Sequence, residues 1–149
     1  MIHYVRGDLI KSVKTGTILH QCNAYGVMGA GFARQLRETY PDVFKTYSNY
    51  CADFAIDPGR LLGDCLVTKT GNLTVINAFG QIGTGGRKAT SYDALDRIFH
   101  NIYSNDDPHT DHIHMPAIGS GLGGGNWKVI EQIILSHLPE NKEVTVWLL

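Results

Sequence analysis

Met115-Pro116-Ala117-Ile118-Gly119-Ser120-Gly121-Leu122-Gly123-Gly124-Gly125-Asn126-Trp127 decides the fold, because of what stands on either side of it. Before it, His112-Ile113-His114-Met115 alternates as a short strand does. After it, apolar positions in Trp127-Lys128-Val129-Ile130-Glu131-Gln132-Ile133-Ile134-Leu135 recur at helical spacing. The glycines therefore occupy a strand-to-helix turn. Such a turn offers several backbone N–H groups together with the positive end of a helix dipole, which suits a phosphate or diphosphate. No Gly-Lys-Ser/Thr closes the run, so it is not the loop of an NTPase. It is also not the dinucleotide fingerprint, which belongs in the first strand-helix turn with an acidic residue about twenty positions on.

Working outward, a second turn of the same kind follows Thr17-Ile18-Leu19-His20-Gln21-Cys22, where Asn23-Ala24-Tyr25-Gly26-Val27-Met28-Gly29-Ala30-Gly31 runs into a helix. Two glycine-bearing turns at the C-terminal ends of strands are what an open α/β sheet uses to build a ligand crevice. The remaining elements read in order as a strand at about Ile2–Val5, helices at about Ala30–Thr39 and Asp42–Phe54, and strands at Asp64–Thr68 and Leu73–Ala78. Thr70-Gly71-Asn72 joins those two strands as a hairpin. A helix capped by Ser91 runs to about Ile102, and Glu143–Leu148 closes the chain as a strand. The hairpin within a βαβ alternation predicts one domain over 1–149, of class α/β, with a mixed sheet covered on both faces by helices.

A length of 149 residues with 43% hydrophobic and 18% charged residues is enough to bury a core. A net charge of -1 supplies no general field for nucleic acid. Cys22, Cys51 and Cys65 show no paired spacing, the start resembles no signal peptide, and no apolar run approaches a membrane span. The expectation is a cytoplasmic monomer without membrane attachment. Asp107, His109, Asp111, His112 and His114 carry ligand-type side chains, but a polar loop entering a strand explains them and no metal is expected.

Gly7-Asp8-Leu9-Ile10, then Leu19-His20-Gln21-Cys22-Asn23 running into Met28-Gly29-Ala30-Gly31-Phe32-Ala33, and then Met115 to Trp127 resemble the macro domain family in order and spacing. The resemblance covers nearly the whole chain. It is nearest to the small branch holding ADP-ribose 1''-phosphate phosphatases and terminal ADP-ribose glycohydrolases. It implies a three-layer α/β/α sandwich, with ADP-ribose or an ADP-ribosyl derivative as partner and no cofactor. By the same resemblance, Asp8 and Leu9 sit at the adenine, and Asn23 with Gly29, Ala30 and Gly31 holds the distal ribose. Gly119, Ser120, Gly121, Leu122, Gly123, Gly124 and Gly125 wrap the diphosphate, and Phe79, Trp127 or Tyr25 stacks on the ligand.

The implied activity is hydrolysis of ADP-ribose 1''-phosphate. The alternatives are a non-catalytic ADP-ribose reader and a glycohydrolase acting on a modified macromolecule. The lysine-dependent glycohydrolases place an aspartate where this chain has Gly123 and a lysine where it has glycines and Thr84. Lys88, beside Arg87, is the nearest amine in sequence. His20 becomes the expected acid/base group, since imidazole titrates near neutrality, and Asn23 is the second catalytic candidate, positioning water in the glycohydrolase alternative. The plainer reading of His20 is a strand histidine hydrogen-bonded within the fold.

Overall fold

The computed structural model describes residues 1–84, 89–121 and 123–149. Its elements are β1 (Ile2–Arg6), α1 (Leu9–Ser12), β2 (Gly16–Cys22), α2 (Gly31–Thr39), α3 (Pro41–Ala52), β3 (Cys65–Thr70) and β4 (Leu73–Phe79). They continue as α4 (Tyr92–Ser104), β5 (His112–Pro116), α5 (Trp127–His137) and β6 (Glu143–Leu148), with 3-10 turns at Pro58–Leu61 and Pro108–Thr110. α3 starts at Pro41 rather than Asp42, because proline's fixed φ and missing N–H suit the first helical position. The helical turn α1 is capped by the Asp8 carboxylate, which accepts from Lys11 N at 3.1 Å.

Among the described residues the strands form one sheet of order β1-β6-β5-β2-β4-β3. β3 pairs antiparallel with β4 and the other pairings are parallel. The period-two alternation of the central strands divides the core between the two faces. Ile18, Cys22, Val75 and Phe79 pack with Leu36, Val43 and Tyr47 of α2 and α3. Leu19, Ile76, Ala78, Met115 and Val146 pack on the opposite face with Leu95, Phe99, Ile130 and Ile134 of α4 and α5. The result is a three-layer α/β/α sandwich around a mixed sheet.

One pairing sets the position of the site. β2 runs beside β4 through seven register positions, Gly16↔Leu73 to Cys22↔Phe79. Beside β5 it pairs only at Thr17↔Ile113 and Ile18↔His114. Past those residues the two strands diverge. Their crossovers also leave in opposite senses, β2 through α2 and α3 and β5 through α5, so a crevice opens at the carboxyl ends of the strands.

The opposite end of the sheet is tied shut. Lys142, its side chain 3% exposed, donates from Nζ to Thr110 Oγ1 at 2.7 Å and Asp111 Oδ1 at 3.1 Å. His112 and His114 stack at 4.3 Å, and Trp147 Nε1 donates to His114 Nδ1 at 3.0 Å, so the histidine-rich entry to β5 is occupied with structural contacts.

Candidate functional site

The crevice between β2 and β5 is a cavity of about 430 Å³. Its walls are the end of β2 (20–23), the loop into α2 (27–33), Gln81 and Thr84, the end of β5 with the turn that follows (116–119), and Gly121 and Gly123. Asn23 shapes the first turn. Its Oδ1 accepts from Tyr25 N at 3.0 Å and from the Tyr47 hydroxyl at 2.9 Å, and its Nδ2 donates to Val27 O at 2.8 Å. One N–H of the Asn23 amide lies outside this set of bonds. The turn delivers the start of α2 to the cavity, and Ala30 at the cap position supplies no side-chain acceptor. The first-turn amides of α2 are therefore without a side-chain cap and available to an anion.

The second glycine turn forms the facing wall, with Gly119 at φ +72°. Gly125 N donates to Gly119 O at 2.7 Å and Gly124 N to Gly121 O at 3.0 Å. This corrects the expectation that every glycine from 119 to 125 offers its N–H outward: those of Gly124 and Gly125 close the loop on itself. Gly119, Gly121 and Gly123 line the cavity; Ser120, Gly124 and Gly125 are not among its lining residues. The Ser120 hydroxyl donates to Ala117 O at 2.7 Å. Leu122, Gly85, Gly86, Arg87 and Lys88 lie outside the described residues.

The structure relocates the aromatic contacts. Phe79 is fully buried, stacked at 6.1 Å from Tyr47 and 6.3 Å from Tyr50 in the core, and does not reach the cavity. Trp127 does not line the cavity and stands edge-on to Tyr4 at 6.4 Å, with Nε1 donating to the Tyr4 hydroxyl. Tyr25 is exposed, with its ring beside Gly83. The aromatic in the wall is Phe32, in the first turn of α2. Leu9 is buried in the core and Asp8 caps α1 while accepting from Gln35 Nε2 at 2.9 Å; neither belongs to the wall. The Lys11 N–H, with Gln35, holds the Asp8 carboxyl below the usual carboxylate range.

His20 also requires correction. It borders the cavity but is 1% exposed, with Nε2 at 2.7 Å from Asn77 Oδ1. Asn77 Nδ2 donates to Leu66 O at 2.9 Å, so Oδ1 is the acceptor and His20 Nε2 carries the ring proton. Burial pushes the imidazole pKa down to about 4, partly opposed by the Asn77 bond. At neutral pH the ring is therefore uncharged, its proton is committed to Asn77, and Nδ1 is buried without a partner. This geometry suits no general acid and leaves no accessible base. Burial likewise pushes the Cys22 thiol far above its ordinary value, which removes it as a nucleophile. Among the described wall residues there is no carboxylate, ammonium or guanidinium.

Sequence reasoning missed Gln21 and Thr90, which lie 69 positions apart and meet at 2.9 Å beneath the glycine turn. Their partners are too distant along the chain for any local pattern to mark them.

The Macro domain family model matches residues 19–134. The chain is 27% identical over 165 residues to the ADP-ribose 1''-phosphate phosphatase of Debaryomyces hansenii, covering 90% of this chain and 92% of that protein. It is 29% identical over 155 residues to the DNA ADP-ribosyl glycohydrolase of Mycobacterium bovis, covering 97% of this chain but 40% of that protein, so it spans less than half of that relative's length. A macrodomain protein from Streptomyces coelicolor superposes with a TM-score of 0.80 at 30% identity, covering 100% of this chain and 99% of that one.

Proposed function

This chain belongs to the macro domain family, and from that premise we propose that its cavity binds ADP-ribose and that it hydrolyses ADP-ribose 1''-phosphate to ADP-ribose and phosphate. The observation that carries the reading is a cavity walled by the uncapped start of α2 and by the glycine turn, with no charged side chain among its described residues. Backbone N–H groups then take the diphosphate, and they bind an anion without needing a cation. Relatives named as ADP-ribose 1''-phosphate phosphatases align over nine-tenths of the chain, which supports the phosphomonoester as substrate.

With His20 neutral and tied to Asn77, the residues contribute positioning rather than proton transfer. Water attacks phosphorus, the bond from phosphorus to the anomeric oxygen breaks, and the proton of the water passes through the phosphate oxygens to the departing hydroxyl. The N–H groups around the phosphoryl oxygens stabilise charge as it develops. The free N–H of Asn23 orients the substrate from the side of β2.

One observation favours a second reading, a glycohydrolase that releases ADP-ribose from a macromolecule: the alignment with the mycobacterial enzyme covers nearly this whole chain. Among the described residues no helix is long and apolar enough to cross a membrane. A cytoplasmic monomer remains part of the proposal.

The test is inorganic phosphate release from ADP-ribose 1''-phosphate beside calorimetric binding of ADP-ribose. Release with binding is expected. Binding without release moves the assignment to the glycohydrolase, or to a non-catalytic reader if no ADP-ribosylated target is turned over. Absence of both overturns the site.

A further inference from the structure

We infer that Thr90 and Gln21 are positioning residues that turn the carbonyl oxygens of the 119–125 loop away from the anion; the inference rests on the diphosphate placement proposed above. A glycine-rich loop exposes carbonyls as readily as N–H groups, and a carbonyl oxygen facing a phosphate repels it. Thr90 captures two of these carbonyls. Its backbone N–H donates to Gly123 O at 3.1 Å and its hydroxyl donates to Gly119 O at 2.8 Å. In a trans peptide the next N–H points opposite the carbonyl, so holding Gly119 O inward turns the Ser120 N–H outward. Thr90 itself is set back from the cavity wall and acts only through the loop.

The direction of the bonds is determined. The one hydroxyl proton of Thr90 is used on Gly119 O, so its oxygen accepts from Gln21 Nε2 at 2.9 Å. The same Gln21 nitrogen donates to Gln81 Oε1 at 2.7 Å, and Gln81 Nε2 donates to Gly83 O at 2.7 Å. One carboxamide at the end of β2 thus sends a polarised chain of hydrogen bonds into each of the two loops that face the ligand. Gln21 Oε1 is left buried without a donor, a cost that this orientation of the amide accepts. The packing explains a glycine as well: a Cβ at Gly119 would stand 2.9 Å from Gln21 Oε1 and 3.0 Å from Thr90 Cγ2.

The experiment compares calorimetric ADP-ribose affinity and backbone amide exchange of the wild type, Thr90→Val and Thr90→Ser. Valine keeps the shape and the backbone N–H but leaves Gly119 O held by Gly125 N alone and strands one N–H of the Gln21 amide, so the loop loosens and Kd should rise about 10-fold or more. Serine restores the hydroxyl and should return Kd to within about threefold of wild type. A purely structural role would not produce that rescue together with faster exchange confined to Gly124 and Gly125, whose N–H groups close the loop. A Kd for Thr90→Val within about threefold of wild type overturns the inference. If Thr90→Val does not fold, Gln21→Met, which keeps the length and removes the amide, carries the same expectation for exchange at Gly124 and Gly125, the readout used because Gln21 itself borders the cavity. If wild type itself fails to bind ADP-ribose, the site reading falls instead. The positioning role is then judged by exchange at Gly124 and Gly125 in the free protein, and unchanged exchange in Thr90→Val overturns it.

Discussion

Gly121→Leu separates occlusion of the cavity from damage to the loop. A Cβ built on Gly121 meets nothing within 4 Å, and its φ is outside the left-handed region, so the folded state accepts a side chain there. The stability change should stay within about 0.5 kcal/mol. For a chain of 149 residues that is about 2 °C in Tm. Gly121 borders the cavity, and carbon atoms approach no closer than about 3.5 Å. A phosphate oxygen held by loop N–H groups at about 2.9 Å is therefore displaced from them. Losing two charge-assisted hydrogen bonds at about 1.5–3 kcal/mol each weakens binding by at least ~100-fold. The assay is calorimetry with ADP-ribose beside a thermal melt. A folded Gly121→Leu protein that keeps wild-type affinity would refute the placement of the diphosphate on this loop. Gly124, at φ +73°, is a poorer probe, because a side chain there strains the backbone whether or not ligand is nearby.

His20 titrates at about 4 in the folded chain, against about 6.5 when unfolded. The unfolded state therefore binds more protons between those values, and stability on the order of 3 kcal/mol, fully present above about pH 6.5, is lost as the pH falls towards 4. Melts of His20→Gln should lack that acid-side loss, and an unchanged slope would assign it elsewhere; phosphate release by the same variant should stay within about tenfold of wild type, since the ring proton is committed to Asn77. Phe79→Ala, which empties a core position between Tyr47 and Tyr50, should cost about 3–5 kcal/mol in stability with ADP-ribose affinity retained by the folded fraction. Phe32→Ala should do the reverse, with Kd up about tenfold by titration and a smaller change in Tm; the opposite ranking would return the ligand's aromatic contact to Phe79.

The secondary structure was largely legible because its signals are local. Alternation in Thr17–Cys22, helical recurrence from Trp127 and the Thr70-Gly71-Asn72 turn each lie within a few residues, and the elements formed there with boundaries shifted by at most two positions. The two glycine turns were legible as a pair for the same reason: glycine marks where the backbone must turn tightly or approach something closely.

What the sequence could not settle was which of these groups are already committed to bonds within the fold. His20 looked available as an acid/base until β4 placed Asn77, 57 positions on, against its ring. Phe79 and Phe32 are alike as residues, but the end of β4 sends one into the aromatic core and the start of α2 sends the other to the cavity. Gln21 and Thr90 carry no local signal because each is defined by the other. By itself the sequence determined the strands, the helices and the two turns, since neighbouring side chains and backbone preferences suffice for those. Only the tertiary structure decided which N–H groups face the cavity and which ionisable group is silenced, because burial and hydrogen-bond partners are properties of segments brought together by the sheet.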